Sequence, residues 1–469
     1  MDDMTRIVGH VMTPTFEDIP RQAIERAKLS ILDTLASAIG GSDDPIAHSV
    51  RRLGGLSGGK QECTIWVTGE KLPVLSAALV NSATSRVLDF DETYEIYING
   101  CHASAYDVPP ALVLAERDPS ISGAELLAAV ATAIDLHLRL ARSITSNCGD
   151  TGRDNLVAVW GAAAACTRLL RLNEEQTRNA FGIAYAHAAG ERQMYEEVTH
   201  VVALQQGLRA RSGMESAFAA SVGLNGPHEP LFGKYGFYRA FEPDHDLESL
   251  LDGLGDEYLN ASISFKPWPS CRATHRGISG ILELRERHDF QGDDIEAIEM
   301  GLNRHAESLV VQPRDQKWNP RDSVTARFSL PYVVAVAAAK GTVGIGDLRP
   351  EAFDDPSVRR IMAATTVEID PEITRLNARR GNSPTRVKAI LKDGAEHEVV
   401  VDTPFGHPDN PASLSDAMRK LESCAEMAAR PFTGLQIEAI GDFVTNLDAA
   451  PSVAPLFELL APSTSTGRA

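Results

Sequence analysis

The sequence predicts a mainly α protein, a large all-helical domain with an inserted smaller α+β lid domain. Three observations carry this. Ala-rich apolar stretches of helical period fill the chain up to about residue 260. Period-2 runs and an Asp-Gly turn are confined to the segment that follows. Helical patterning then returns from Ser413. The boundaries so placed are 1–262 for the first part of the helical domain, 263–403 for the α+β lid, 404–462 for the returning C-terminal helices and 463–469 for a disordered tail.

The elements follow in order. Ala23, Ile24, Ala27, Ile31, Leu32, Leu35 and Ile39 share one helical face over 20–40, and Gly40-Gly41 stops the run. Thr64 to Thr68 reads as a short strand, and Leu75 to Val87 as an Ala-rich helix. Further helices are expected at about 108–117, 123–146, 156–171, 175–189 and 203–222. Segment 156–166 has little polar face, so it is expected to be buried. Ile298, Met300 and Leu302 alternate as in a strand, and Thr366 to Ile369 is β-prone. Thr385–Leu391 and Glu396–Asp402 flank Asp393-Gly394 as a hairpin. Helices at about 276–288 and 324–340 intervene, and Ser413-Leu-Ser-Asp416 starts a helix. The last residues, Pro462 to Ala469, are low in complexity.

Composition narrows the function. Of 469 residues, 43% are hydrophobic and 23% charged, the balance of a globular protein. Lys plus Arg is 45 against 64 acids, a formal charge of −19. Such a surface repels phosphate backbones and anionic lipid, so neither nucleic acid nor membrane is an expected partner. Six cysteines lie far apart with no C-x-x-C pair, which argues for reduced thiols. The start Met1-Asp2-Asp3-Met4 is acidic where a signal peptide is basic, and the apolar stretch Leu126–Ala141 is broken by Asp135, His137 and Arg139. A cytoplasmic location is expected. Gly54-x4-Gly59-Lys60-Gln61 misses the Ser/Thr of a phosphate loop, and Gly55-Leu-Ser57-Gly-Gly59 lacks the strand before a nucleophile elbow. No motif calls for a metal or a nucleotide cofactor.

Three motifs carry chemistry. Leu88-Asp89-Phe90-Asp91-Glu92-Thr93-Tyr94 ends a helix, with His102 beyond. Acids are unfavourable at a helix C-terminus, so this is either a solvated cap or a His–carboxylate pair able to share a proton. Lys266-Pro-Trp-Pro269-Ser-Cys271-Arg-Ala-Thr-His275 offers a cation on a proline-stiffened loop, a thiol and a titratable His at the domain junction. The polar island Gly190 to His200 brings Arg192 and His200, either as a solvated loop or as a wall able to meet an anion. Thr325 to Tyr332 reads as mainly structural.

Together these residues resemble the MmgE/PrpD family, which includes 2-methylcitrate dehydratase, cis-aconitate decarboxylase and iminodisuccinate epimerase. Leu32-Asp33-Thr34, Leu88-Asp89-Phe90-Asp91-x-Thr93, Gly161-Ala-Ala-Ala-Ala165, Arg211-Ser212-Gly213, Lys266-x-x-Pro269-x-Cys271-x-x-x-His275 and Ala326-Arg327-Phe328-Ser329-x-Pro331-Tyr332 carry the likeness over nearly the whole chain. The resemblance implies a homodimeric, cofactor-free enzyme working on a small di- or tricarboxylate in an interdomain cleft. It implies Asp89, Thr93, His102, Lys266 and Cys271 as site lining. Two departures stand out. Asp150 to Asp154 lacks the family's His, and Val202 to Gln206 lacks its Lys and His; Arg153, His200 and Arg209 are the nearest replacements.

The expected roles follow. His102, oriented by Asp89, is the general acid/base, and Lys266 binds a carboxylate or donates a proton. Thr93, Cys271 and His275 position the substrate, with Arg192, His200 and Arg209 as further binding residues. A lyase, hydro-lyase or decarboxylase, is the first reading. An epimerase or isomerase is the second, and an inactive relative serving as a binding or scaffold dimer is the third.

Overall fold

The computed structural model describes residues 2–95, 100–380 and 384–461, without the side chains of 377–380. The tail expected at 463–469 lies outside the described residues. The chain is mainly α with a smaller α+β part, as its patterning requires. Helix Arg21–Gly41 carries its predicted apolar face inward and packs against Val74–Arg86 and Leu414–Glu426. Helix Ala158–Leu169 lies at the centre, touched by Ala103–Arg117, Gly123–Arg142 and Val201–Ser221. Its Ala-rich sequence suits that place, because small side chains let several helices approach at once. Gly161 is needed there, since a Cβ would meet the Asp107 carboxylate at 2.5 Å. Among the described residues no helix is long and apolar enough to cross a membrane.

Three elements differ from expectation. The strand at 64–68 is only Cys63–Thr64 (β1), paired antiparallel with Lys71–Leu72 (β2). The β-branched run is cut short because Val67 turns at φ 73° and the Gly69 N–H closes on the Ile65 carbonyl at 3.0 Å. The helix expected from 108 starts at Ala103 and runs through Pro109-Pro110, burial on all sides outweighing the missing N–H groups. The helix expected over 324–340 is two, Ser323–Arg327 and Leu330–Lys340. Ser329 caps the second, its Oγ accepting the Tyr332 N–H at 3.2 Å, and Pro331 fits the first turn, where no N–H is needed.

The α+β part holds a four-stranded sheet. Its strands are Ile295–Leu302 (β3), Thr365–Ile369 (β4), Thr385–Leu391 (β5) and Glu396–Val401 (β6), in the order β4-β3-β5-β6. β3 and β4 are parallel and the other pairs antiparallel. Helices Arg272–His288 and Leu330–Lys340 bring Ile278, Ile281, Val333 and Val336 into one apolar cluster with Ile298, Met300, Val387 and Ala389 of the sheet. The chain then returns to the first part: Leu421, Cys424, Ile440, Val444 and Phe457 join the apolar cluster that holds Ile31, Leu32 and Leu35. Gly406 marks the return at φ 87°, with the Phe265 carbonyl 2.2 Å from where a Cβ would stand. Only glycine combines that backbone with that approach.

Candidate functional site

Two loops meet at the junction. Residues 87–95 leave the helix Val74–Arg86, and 264–271 lead into the helix Arg272–His288. Thr93 and Ser264 tie them by two backbone hydrogen bonds of 3.0 and 2.8 Å. The acids of the first loop are not a solvated cap: Asp89, Asp91 and Glu92 are 3%, 0% and 1% exposed. Buried carboxylates require partners, and each finds different ones.

Asp89 turns in the left-handed region at φ 50°. Its Oδ1 accepts from Arg86 Nη1 and from Lys266 Nζ at 3.0 Å, and its carbonyl accepts from the same Lys266 Nζ at 2.8 Å. Burial would raise its pKa, but Arg86 and then Lys266 hold it well below the usual carboxylate range. Its Oδ2 is buried and without a hydrogen bond among the described residues. Lys266, fully buried, is therefore an anchor for Asp89.

The carboxylate behind His102 is that of Asp91, which corrects the expected Asp89. Asp89 is taken up by two cations, whereas Asp91 Oδ2 lies 3.0 Å from His102 Nδ1. The Glu92 carbonyl is 3.1 Å from the same nitrogen. Two acceptors on Nδ1 mean that Nδ1 carries the proton and Nε2 presents the lone pair. Burial and then Arg86 lower the His102 pKa, so the resting ring is neutral at pH 7. Asp91 is pushed up by burial but held below its ordinary value by Arg86, 3.5 Å away, and by His102.

Glu92 is structural. It takes Arg26 at 2.6 Å, Ser30 at 2.5 Å and Ser104, and its N–H donates to Asp33 at 2.9 Å. Asp33 in turn holds Lys420 of the returning helix at 2.6 Å. Lys420 Nζ also donates to the Phe90 carbonyl at 2.5 Å and the Lys266 carbonyl at 3.4 Å, beneath both loops.

The remaining predicted residues divide. Thr93 joins the loops, its hydroxyl donating to the Cys101 carbonyl at 3.3 Å. Cys271 caps the helix Arg272–His288, and burial, with Asp89 nearby, pushes its thiol up to about 11. His275 is spent on structure, which displaces it from substrate contact. Its Nε2 donates to the Ser270 carbonyl at 3.1 Å, its Nδ1 accepts from Arg272 at 3.3 Å, and burial, then Arg272, hold it neutral. Arg272 itself is paired with Glu95 at 2.8 Å. Arg192 reaches Cys148 Sγ at 3.0 Å and Asp154 at 3.6 Å. Arg209 is buried on Tyr106 at 2.9 Å and Gln205 at 2.7 Å, and Gln205 donates to Asp154 at 2.9 Å. Arg153 is paired with Glu242 at 3.2 Å. His200 is exposed at the start of the helix Val201–Ser221.

Four contributors escaped the sequence reading. Arg86 sits three residues before Asp89, a helical neighbour spacing that signals a pair. The Tyr195 ring lies 5.6 Å from that of Phe328, tilted by 50°, and 5.0 Å from the Arg192 guanidinium. Arg327 bridges the two parts, donating to the Val87 carbonyl and pairing with Asp44 at 3.0 Å. Lys317 lies buried beside Phe328. Arg327 and Tyr195 reach Val87, Asp44 and Phe328, all distant in sequence, which no local pattern shows. Asp89, Asp91 and His102 offer ligand atoms within 4.8 Å of one another. Arg86 and Lys266 already balance both carboxylates, so the set suits an acid/base pair better than a divalent cation.

Comparisons with known proteins place the chain in a family. The model of the MmgE/PrpD N-terminal domain matches residues 5–250, and that of the C-terminal domain matches 268–436. Cis-aconitate decarboxylase of Homo sapiens is 26% identical over 460 residues, covering 94% of this chain and 90% of that protein. The Mus musculus protein of the same name is 27% identical over 429 residues, covering 86% and 82%. That of Aspergillus terreus is 24% identical over 472 residues, covering 95% and 93%. With both domain models matched in order along one chain, the protein belongs to the MmgE/PrpD family.

Proposed function

We propose that the chain is a lyase that decarboxylates a small tricarboxylate by acid/base chemistry beside a carboxylate. The observation that carries this reading is His102 with Nδ1 fixed on Asp91, next to a cation pair gathered on Asp89. The names of the relatives support the same reaction class.

In the proposed step the bond to the leaving carboxylate breaks and carbon dioxide departs. The electron pair passes onto the carbon and is delocalised towards a remaining carboxylate, beside the cluster in which Arg86 and Lys266 neutralise Asp89 and Asp91 and so leave no uncompensated negative charge to oppose it. His102, protonated from solvent and stabilised as imidazolium by Asp91, delivers one proton to carbon. Substrate plus one proton gives product plus carbon dioxide. Asp89 Oδ2 is the acceptor left for a substrate hydroxyl or carboxyl proton.

A second reading, loss of water, is favoured by the neutral resting state of His102, a base able to take a C–H proton. The reading includes a homodimer, checked by light scattering. Proton NMR in heavy-water buffer with citrate, 2-methylcitrate, cis-aconitate and iminodisuccinate tests the chemistry. New signals with mass reduced by carbon dioxide support the first reading, and mass reduced by water supports the second. Loss of one C–H signal on an unchanged carbon skeleton, with one deuterium taken up, would make the protein an epimerase. Binding without turnover would make it a binding dimer.

A further inference from the structure

Lys317 closes the short helix Arg314–Lys317 in the α+β part and is 3% exposed. Its backbone is fixed by Ser329 Oγ, which donates to its carbonyl at 2.5 Å. Its ammonium lies 5.8 Å from the Phe328 ring, whose other neighbour is Tyr195 at 5.6 Å. Among the described residues it makes no hydrogen bond and no ion pair. The charged or titratable groups acting on it are Cys271, Asp322 and Glu196, and neither carboxylate comes within ion-pair distance. Phe328 follows Arg327, whose carbonyl accepts the Cys271 N–H at 2.9 Å, so the segment beside the Lys317 ammonium is tied to the loop that carries Lys266.

A buried ammonium without an anion is expensive, and a Met or Leu of similar length would pack there at no such cost. The other buried lysines of the site, Lys266 and Lys420, each hold a carboxylate. Burial pushes Lys317 down to about 8, a measure of how poorly its charge is served in the ligand-free protein.

We propose that Lys317 Nζ binds a carboxylate of the substrate from the α+β side of the junction. The inference rests on the function proposed above and deepens it. The acid/base group and the Asp89 cation pair come from the helical part and the loop leading out of it, whereas Lys317 adds a carboxylate-binding point from the α+β part. A ligand with two or three carboxylates engages both, and a monocarboxylate does not.

The test uses the full chain with Lys317→Met and Lys317→Arg. Binding of tricarballylate, succinate and acetate is followed by calorimetry and thermal shift, and turnover by the NMR assay. Lys317→Met is expected to melt, ligand-free, at or above the wild-type temperature. It should bind tricarballylate about 10–100-fold more weakly, the loss of one charge-assisted hydrogen bond. KM should rise far more than kcat falls, and Lys317→Arg should recover most of the affinity. A lower melting temperature in Lys317→Met with unchanged affinity would assign the lysine to structure and overturn the inference while leaving the proposed function standing. Tricarballylate binding that depends on Lys317 without any turnover in the panel would uphold the inference and refute the lyase reading. No polycarboxylate binding by the wild type would remove both.

Discussion

Asp91→Asn isolates what the carboxylate behind His102 does. The side chain keeps its shape and can still accept from Nδ1, so the ring stays in place. What is lost is a buried negative charge 3.0 Å from the imidazole. A hydrogen bond to a charged partner contributes about 1.5–3 kcal/mol. If that is felt while His102 carries its proton, kcat falls about 10–150-fold at about 1.4 kcal/mol per decade, with KM little changed. The sign in pH follows from the same contact. Asp91 raises the His102 pKa against burial and Arg86, so its removal lowers that pKa further. Whichever limb of the pH–rate profile His102 governs therefore moves to lower pH. Initial rates between about pH 5.5 and 9, on the substrate that the NMR panel identifies, measure both effects. The ¹⁵N shifts of the ring report independently that Nδ1 is protonated in the wild type. Arg86 retains Asp89 as a partner, so stability should drop only by about 1–3 kcal/mol. An Asp91→Asn variant with wild-type kcat and an unmoved limb would refute the assignment. A larger effect in Asp89→Asn than in Asp91→Asn would return the orienting role to Asp89.

Other expectations are simpler to state. Lys420→Met leaves Asp33 as a buried charge without its cation and frees the Phe90 and Lys266 carbonyls, so denaturant unfolding should show a loss of about 3–5 kcal/mol, with kcat falling in parallel. Lys317 sits at about 8 in the fold against an ordinary 10.5, so between these values the unfolded chain binds more protons and stability rises with pH. Melts at pH 7.5 and 9.5 should show the wild type gaining on Lys317→Met by about 2 kcal/mol. Cys271, a buried thiol pushed up to about 11, should resist iodoacetamide at pH 8, whereas Cys148, half-buried while the other five cysteines are buried, should be alkylated first in peptide mapping.

Local signals in the sequence were legible because they act over a few residues. The helix Arg21–Gly41 follows its apolar period, Ser413 caps its helix through the Asp416 N–H at 3.3 Å, and the Asp393-Gly394 turn sets β5 against β6. Thr64 to Thr68 is β-prone by composition, yet the fold holds Val67 at φ 73° against its own preference and closes the Gly69 N–H on the Ile65 carbonyl, which no local propensity signals. Within the site, the Leu88–Thr93 motif and Lys266 were readable as chemistry, but their pairing was not. Asp89 and Asp91 have the same side chain two positions apart, and only the fold decides which meets His102 and which meets Lys266. Arg192, His200 and Arg209 stand out in the sequence by charge, and charge alone does not say whether a neighbour such as Tyr106 or Cys148 already claims the group. Lys317 carried no motif because its meaning lies in the partner it lacks.

The return of the chain to its first domain has a consequence for biosynthesis. Lys420 contacts Asp33, Phe90 and Lys266, separated from it by 387, 330 and 154 residues. During synthesis the two loops that make the site would emerge and fold against a vacancy where Lys420 belongs, with the Asp33 carboxylate temporarily lacking its counter-ion. That place is filled only once the helix Leu414–Glu426 has left the ribosome. The acid/base centre would therefore mature last, as the C-terminal helices dock, and a nascent or truncated chain would have two substantial apolar cores and no working site.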